Sequence, residues 1–204
     1  MKTKIALLIV FFIVLIWSAI TPKDYFTWFL EVFPAFIGLA ILIATFKRFR
    51  LTNMVYVLIC IHACILCVGG HYTYAEVPLF DDIKELLGQS RNNYDKVGHF
   101  AQGFVPAIII RELLIRKQVL MQKGWLNFII VSICLAISAL YEFLEWFVSV
   151  ATGEAGDSFL GTQGDIWDTQ SDMLIATIGA IISLVLLSKT HDRQLQLMSS
   201  QTSI

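Results

Sequence analysis

Three short segments carry side chains able to do chemistry. In YDKVGHFAQGF, Asp95 and His99 stand four residues apart, so on a helix they share one face, with Gln102 beside them. In LYEFLEWF, Glu142 and Glu145 stand three apart and share a face in the same way. In GDIWDTQSDMLIATIGA, Asp165, Asp168 and Asp172 follow an i, i+3, i+7 pattern, a third acidic face. Carboxylate oxygens with one or two imidazoles and no thiolate suit zinc, iron, manganese or magnesium. Such an ion activates bound water or polarises a phosphoryl oxygen, and a spare carboxylate takes the proton. The spacing therefore predicts a divalent-metal site built from Asp95, His99, Asp168 and Asp172, with Glu142 and Glu145 as catalytic carboxylates. His71 and Glu31, at the ends of their own apolar segments, stand where they could join, and His71 is counted with the metal ligands.

Each group has a plainer use. Carboxylates near a helix N-terminus cap free amides and complement the dipole, which accounts for Asp95, Asp165 and Asp168 without any ligand. His71 follows Gly69 and Gly70, which read as a helix stop, and suits an interfacial loop; Glu31, single and near an interface, reads as solvated. Tyr72, Tyr74, Tyr94 and Tyr141 offer hydroxyl donors, although anchoring at the membrane interface is their commoner use. Glu142 resists the plain reading. It lies several residues inside an apolar stretch, toward a helix C-terminus where the dipole opposes negative charge, and burial there costs about 2.5 kcal/mol or more on insertion scales. It must face the bundle interior and find a partner. Lys96 is the one basic residue expected at that level, so shared protons, a protonated His99 or a bound metal are left to neutralise the group.

The elements that must position these residues are membrane spans. Of 204 residues, 57% are hydrophobic and only 15% charged, far from the balance of a soluble domain. Apolar stretches long enough to cross about 30 Å of hydrocarbon fall near residues 5–20, 27–46, 51–69, 97–116, 126–149 and 171–188. The sequence thus predicts an all-α, polytopic membrane helix bundle of about six transmembrane helices, forming a single integral membrane domain over residues 1–204. The first stretch also has the form of a signal peptide, with Lys2 and Lys4 before an apolar run, but no small-x-small cleavage site follows and it is read as a retained helix.

Lys2 and Lys4, then Lys47, Arg48 and Arg50, then Arg116, Lys117 and Lys123, then Lys189 and Arg193 make every second connection basic. The positive-inside rule places both termini in the cytoplasm. The other side receives the turn at 21–26, the loop at 70–96 and the glycine-punctuated loop at 150–170, which together hold most of the unusual polar residues. Within the second loop, residues 81–87 suit a short amphipathic helix in the interface. Cys60, Cys64, Cys67 and Cys134 fall inside spans and read as small apolar residues. His62, beside two of them, is read as part of a packed helix interface. Arg111 and Glu112 read as a structural pair or a snorkelling arginine near the other membrane face.

The ordered set HYTYAEVP, YDKVGHFAQGF, LYEFLEW and GDIWDTQSDMLIATIGA resembles the YjdF family of bacterial multi-pass inner-membrane proteins over essentially the whole chain. The resemblance implies an inner-membrane location; no biochemical activity is attached to that family. The order DK-x-x-H, a helix glutamate and D-x-x-x-D is also similar to VanZ-like membrane proteins, which are associated with resistance to glycopeptide antibiotics. On that likeness Asp95, Lys96 and His99 match the first element, Glu142 or Glu145 the glutamate, and Asp168 and Asp172 the aspartate pair. The intervening sequence departs from that pattern, and the first three spans have no counterpart in it.

Three functional classes follow. The first is a metal-dependent site acting on a lipid-linked or phosphate-bearing substrate at the outer leaflet. The second is one end of an ion or proton pathway, and the third is a polar cluster that holds the bundle together or assists a partner. The lipid bilayer is the one partner the composition demands, and a net charge of −1 gives no reason to expect nucleic acid.

Overall fold

The structure, a computed structural model, describes residues 2–120, 123–153, 159 and 161–202. It is all-helical, with no strand among the described residues. The helices are α1 (Lys2–Ala19), α2 (Tyr25–Thr45), α3 (Asn53–His71), α4 (Pro78–Leu87), α5 (Tyr94–Arg116), α6 (Leu126–Thr152) and α7 (Asp168–Thr202). All but α4 are long and apolar enough to span a bilayer, so the six expected spans are present. The last runs well past residue 188, where the expectation ended it. Nothing stops it: no glycine or proline occurs between residues 189 and 202, so a polar sequence simply continues the helix out of the hydrocarbon.

The spans start and end for local reasons. Asp24 caps α2, its carboxylate accepting from the Thr27 amide at 2.6 Å, and Gly88 ends α4 in the left-handed conformation, φ 61°. Burial works slightly against the Asp24 charge, but the Thr27 amide dominates and holds this carboxyl below its ordinary value. The connection between α6 and α7 is described only in part; residues 154–158 and 160, including Gly156, lie outside the described residues.

Packing centres on α5 and α7, the most extensive helix pair. Their sequences permit unusually close approach: a Cβ at Gly103 would overlap the Ala176 carbonyl, and one at Gly179 would overlap the Phe100 carbonyl. The Ser183 hydroxyl donates to the Phe104 carbonyl at 2.6 Å along the same seam. Helix α6 packs on both, α3 joins from the other side, and α1 and α2 pack on α3. Gly69 and Gly70 do not end α3, which continues to His71. They are there for contact: Tyr74 fits against Gly69 and Gly98, and Gly70 lies against Glu31 and Val32 of α2.

One end of the bundle is basic and carries a second buried polar network. Glu112 accepts from the Thr52 amide at 3.0 and 3.1 Å, from the Thr52 hydroxyl at 2.8 Å and from Arg116 at 2.7 Å, and contacts His191 at 3.1 Å. It thereby caps α3, whose own Thr52 side chain makes no cap bond. Of the two sequence readings, a structural pair or a snorkelling arginine, the pair of Arg111 with Glu112 does not form. Arg111 reaches His191 Nδ1 at 2.9 Å and Asp192 at 2.7 Å on α7. Because arginine only donates, Nδ1 of His191 accepts and Nε2 carries the proton toward Glu112.

Candidate functional site

At the opposite end, four elements converge. Helix α5 brings Asp95, Lys96, His99 and Gln102, α6 brings Tyr141, Glu142 and Glu145, α7 brings Asp168, Ser171 and Asp172, and α2 brings Glu31. The segment before α5 adds Arg91 and Asn92. Asn92 is fully buried and acts as a clamp: its amide group donates to the Val77 carbonyl at 3.0 Å and to Asp81 at 3.1 Å. Its main chain exchanges two 2.9 Å bonds with the Gln163 side chain. The loop before α7 is thus fastened to the start of α5.

An outer layer of the site is balanced charge. Arg91 ion-pairs closely with Asp168 and reaches Asp95 at 3.3 Å and Asp165 at 3.5 Å. Burial works against the Arg91 charge, but these carboxylates outweigh it and hold the guanidinium above its ordinary range. The Lys96 ammonium makes three 2.7 Å bonds, to Asp168, Ser171 and Asp172. Asp168 is therefore committed to two cations, and it begins α7 in the way a capping carboxylate would.

The inner layer is not balanced. His99 Nε2 faces Asp95 Oδ1 at 3.3 Å and Asp172 Oδ2 at 3.8 Å, while Nδ1 faces Gln102 Oε1 at 3.3 Å and Glu142 Oε1 at 3.7 Å. Both ring nitrogens look only at acceptors. An imidazole in that position carries two protons, accepts a hydrogen bond from a protonated carboxyl, or turns one nitrogen to a cation. Glu142 Oε1 is buried without a hydrogen-bond partner among the described residues. No lysine or arginine ion-pairs with Glu31, Glu142 or Glu145 among those residues. A cavity of about 190 Å³ lies here, lined by Glu31, Tyr74, His99, Gln102, Tyr141 and Glu145, among others. It has room for several waters.

The donors form two groups that share His99: Asp95, His99 and Asp172, whose carboxylates face Nε2, and His99, Glu142 and Glu145, of which Glu142 faces Nδ1, each with its ligand atoms within 4.8 Å of one another. A bound ion separates its ligands by up to about twice a metal–ligand distance of ~2.0–2.2 Å, so either group needs only small side-chain shifts to close on one. The chemistry of the second group fits best, because its carboxylates lack the lysine and arginine partners that serve the other.

The structure brings together Asp95, His99, Glu142, Glu145 and Asp172 from the sequence expectation. It places His71 elsewhere: Nδ1 lies 3.0 Å from the Ser18 carbonyl and the ring packs against Trp17, so it fastens α3 to α1. Glu31, read as solvated, is buried in the cavity wall with Tyr141 donating to it at 3.3 Å. His62, read as helix packing, also lines that cavity. Arg91, Asn92 and Gln163 were not singled out by the sequence; each is a polar residue in a loop, and their long-range partners carry no local pattern.

The family description "Predicted membrane protein (DUF2238)" matches residues 3–193. The chain belongs to this family. It is 48% identical over 184 residues to the inner membrane protein YjdF of Escherichia coli (strain K12), a match covering 90% of this chain and 88% of that one. No solved structure matches it. Membership of a family of multi-pass membrane proteins agrees with the six apolar helices, so the site just described lies at one end of a transmembrane bundle.

Proposed function

We propose that this protein is a metal-dependent membrane enzyme whose site opens to the outer side and acts on a lipid-linked or phosphate-bearing substrate. The observation that carries the reading is the surroundings of His99: acceptors at both nitrogens, with the buried and unpartnered Glu142 Oε1 on the Nδ1 side. A divalent ion held by His99, Glu142 and Glu145 would supply the missing positive charge. The Nε2 proton then donates to Asp95, which Arg91 orients, an arrangement in which a second carboxylate fixes a ligating histidine. Glu142 and Glu145 are ligands in this account, and Asp95 and Asp172 support the histidine. Glu31, across the cavity, is the carboxylate left to take a proton from water.

The ion supplies Lewis acidity to water or to a phosphoryl oxygen. The basic connections support a reading with the termini in the cytoplasm and the site outside, within reach of lipid headgroups. A transport route has less support, because the seam of α5 and α7 beyond the site is closed by glycine-to-backbone contact and by Val105, Ala107, Ile108 and Ala180, all buried.

The test is release of inorganic phosphate from phosphatidic acid and from a long-chain prenyl diphosphate in mixed micelles, with zinc, manganese or iron restored to chelator-treated protein. The expected result is release that requires a metal and is lost in Glu142→Gln at unchanged folded yield. No release above the no-protein blank with any of the three metals would contradict the catalytic reading.

A further inference from the structure

Helices α1 and α2 both pack chiefly on α3. Away from the basic end they are held close, by the short turn through residues 20–24 and by the Trp28 indole donating to the Ser18 hydroxyl at 3.1 Å. Toward the basic end the two helices leave α3 uncovered between them. The result is a cavity of about 790 Å³, lined by residues of α1 between 4 and 11, of α2 and the turn after it between 35 and 48, and of α3 between 56 and 63. That volume lies inside the ~300–1,000 Å³ range of small-molecule sites.

Its interior is apolar, walled by Leu7, Phe11, Ala35, Leu39, Ile59 and Ala63. Its mouth carries Lys4, Lys47 and Arg48, with Arg50 beside them. Aromatic faces hold some of this charge: Lys4 Nζ stands 4.4 Å from the Tyr56 ring centroid and 5.0 Å from that of Phe46, and Arg50 lies 5.2 Å from the Phe46 centroid. None of these cations has a carboxylate partner among the described residues. The first 52 residues contain just two acids, Asp24 and Glu31, both toward the other end of the bundle.

An apolar cleft that ends in unpaired cations at the membrane surface is complementary to an amphipathic anion. We propose that the cleft between α1, α2 and α3 binds one anionic phospholipid of the cytoplasmic leaflet, its acyl chains along α3 and its phosphate among Lys4, Lys47 and Arg48. The site is separate from the His99 cluster and stands or falls without it. A polar headgroup phosphate alone would leave the apolar walls unfilled, which is why the occupant is a lipid and not a free anion.

The experiment uses the full chain in mild detergent, equilibrated with mixed micelles of phosphatidylglycerol and phosphatidylcholine in equal amounts. Lipid that survives size-exclusion chromatography is then counted by native mass spectrometry. Wild type is expected to retain phosphatidylglycerol in preference. Lys4→Gln/Lys47→Gln/Arg48→Gln is expected to reduce that retention by about tenfold or more, with the elution profile unchanged. Lys189→Gln/Arg193→Gln, which alters basic residues away from the cleft, is expected to retain it as wild type does. Ala63→Phe, which fills the cleft without touching charge, is expected to displace the lipid. Equal retention of the two lipids by wild type would overturn the proposal, because it describes ordinary surrounding lipid. So would equal loss in the two charge variants, which describes a general surface attraction.

Discussion

His99 Nδ1 stands 3.7 Å from Glu142 Oε1, and that oxygen is buried with no hydrogen-bond partner among the described residues. A donor on the ring and an acceptor on the carboxylate at that separation have not closed a hydrogen bond, although both are buried. The gap is comparable to the separation of two ligands on one ion, and the Glu142 and Glu145 carboxylates have no lysine or arginine partner among the described residues. The account of the site turns on this pair.

Glu31 separates ligand from base. It faces the cavity but belongs to neither donor group. Glu31→Gln is therefore expected to keep the bound metal while lowering metal-dependent phosphate release by about 10²–10⁴-fold, the range of general-base catalysis. Metal content and rate measured on the same preparation check this; a parallel fall in both would make Glu31 a ligand or a structural residue.

Lys96 holds the outer layer, bonding Asp168, Ser171 and Asp172 at 2.7 Å each. Lys96→Met leaves buried Asp172 without its lysine and Asp168 with Arg91 alone, at a cost of about 3–5 kcal/mol. Adding Asp172→Asn to Lys96→Met is expected to recover part of that loss, since the second change removes one stranded charge. Thermal unfolding of wild type, Lys96→Met, Asp172→Asn and the double variant in detergent, followed by near-ultraviolet circular dichroism, measures the coupling. Additive losses would mean the two side chains do not interact.

Close approach of α5 and α7 sets the depth at which Asp172 meets His99. Gly103→Val forces a side chain into the Ala176 carbonyl, and backbone cannot yield as a flexible side chain does. Loss of folded yield is the expected outcome, whereas Gly124→Val, at a position with open space around it, is expected to be tolerated. Membrane abundance and monodispersity of the two variants give the comparison.

Asp24 supplies a pH-dependent contribution. Its carboxyl is held below the ordinary value of 3.8 by the Thr27 amide, so the cap's stabilisation is fully present above that value and is lost as pH falls through the depressed one. Asp24→Ala is expected to cost about 0.5–2 kcal/mol at neutral pH. The difference from wild type should shrink in melts recorded as pH falls through and below that depressed value, where the wild-type carboxyl is protonated too. A difference that does not change with pH would assign the effect to something other than the charged cap.

Much of this was legible in the chain because it is local. Apolar runs report spans, and i, i+3 and i+4 spacing reports which carboxylates share a face; Asp95 with His99 and Glu142 with Glu145 needed nothing more. Where an interaction joins distant segments the sequence is silent. Arg91 pairs with Asp168 across 77 positions and Asn92 meets Gln163 across 71, with no periodic signal to announce either. Glu31 looked solvated because position along a span was taken for exposure, while its burial is decided by α3 and α6 closing over it. Gly69 and Gly70 were misread for a related reason: a glycine that permits contact and a glycine that ends a helix look alike until the neighbour is known.

The most direct measurement is the metal content of detergent-purified protein by elemental mass spectrometry, after dialysis against a weak chelator, for wild type beside Glu142→Gln, Glu145→Gln and His99→Ala. The account predicts near-stoichiometric zinc, iron or manganese in wild type, lost in all three variants at unchanged folded yield. Folded wild type that holds no divalent metal, even after each is added back, would contradict it.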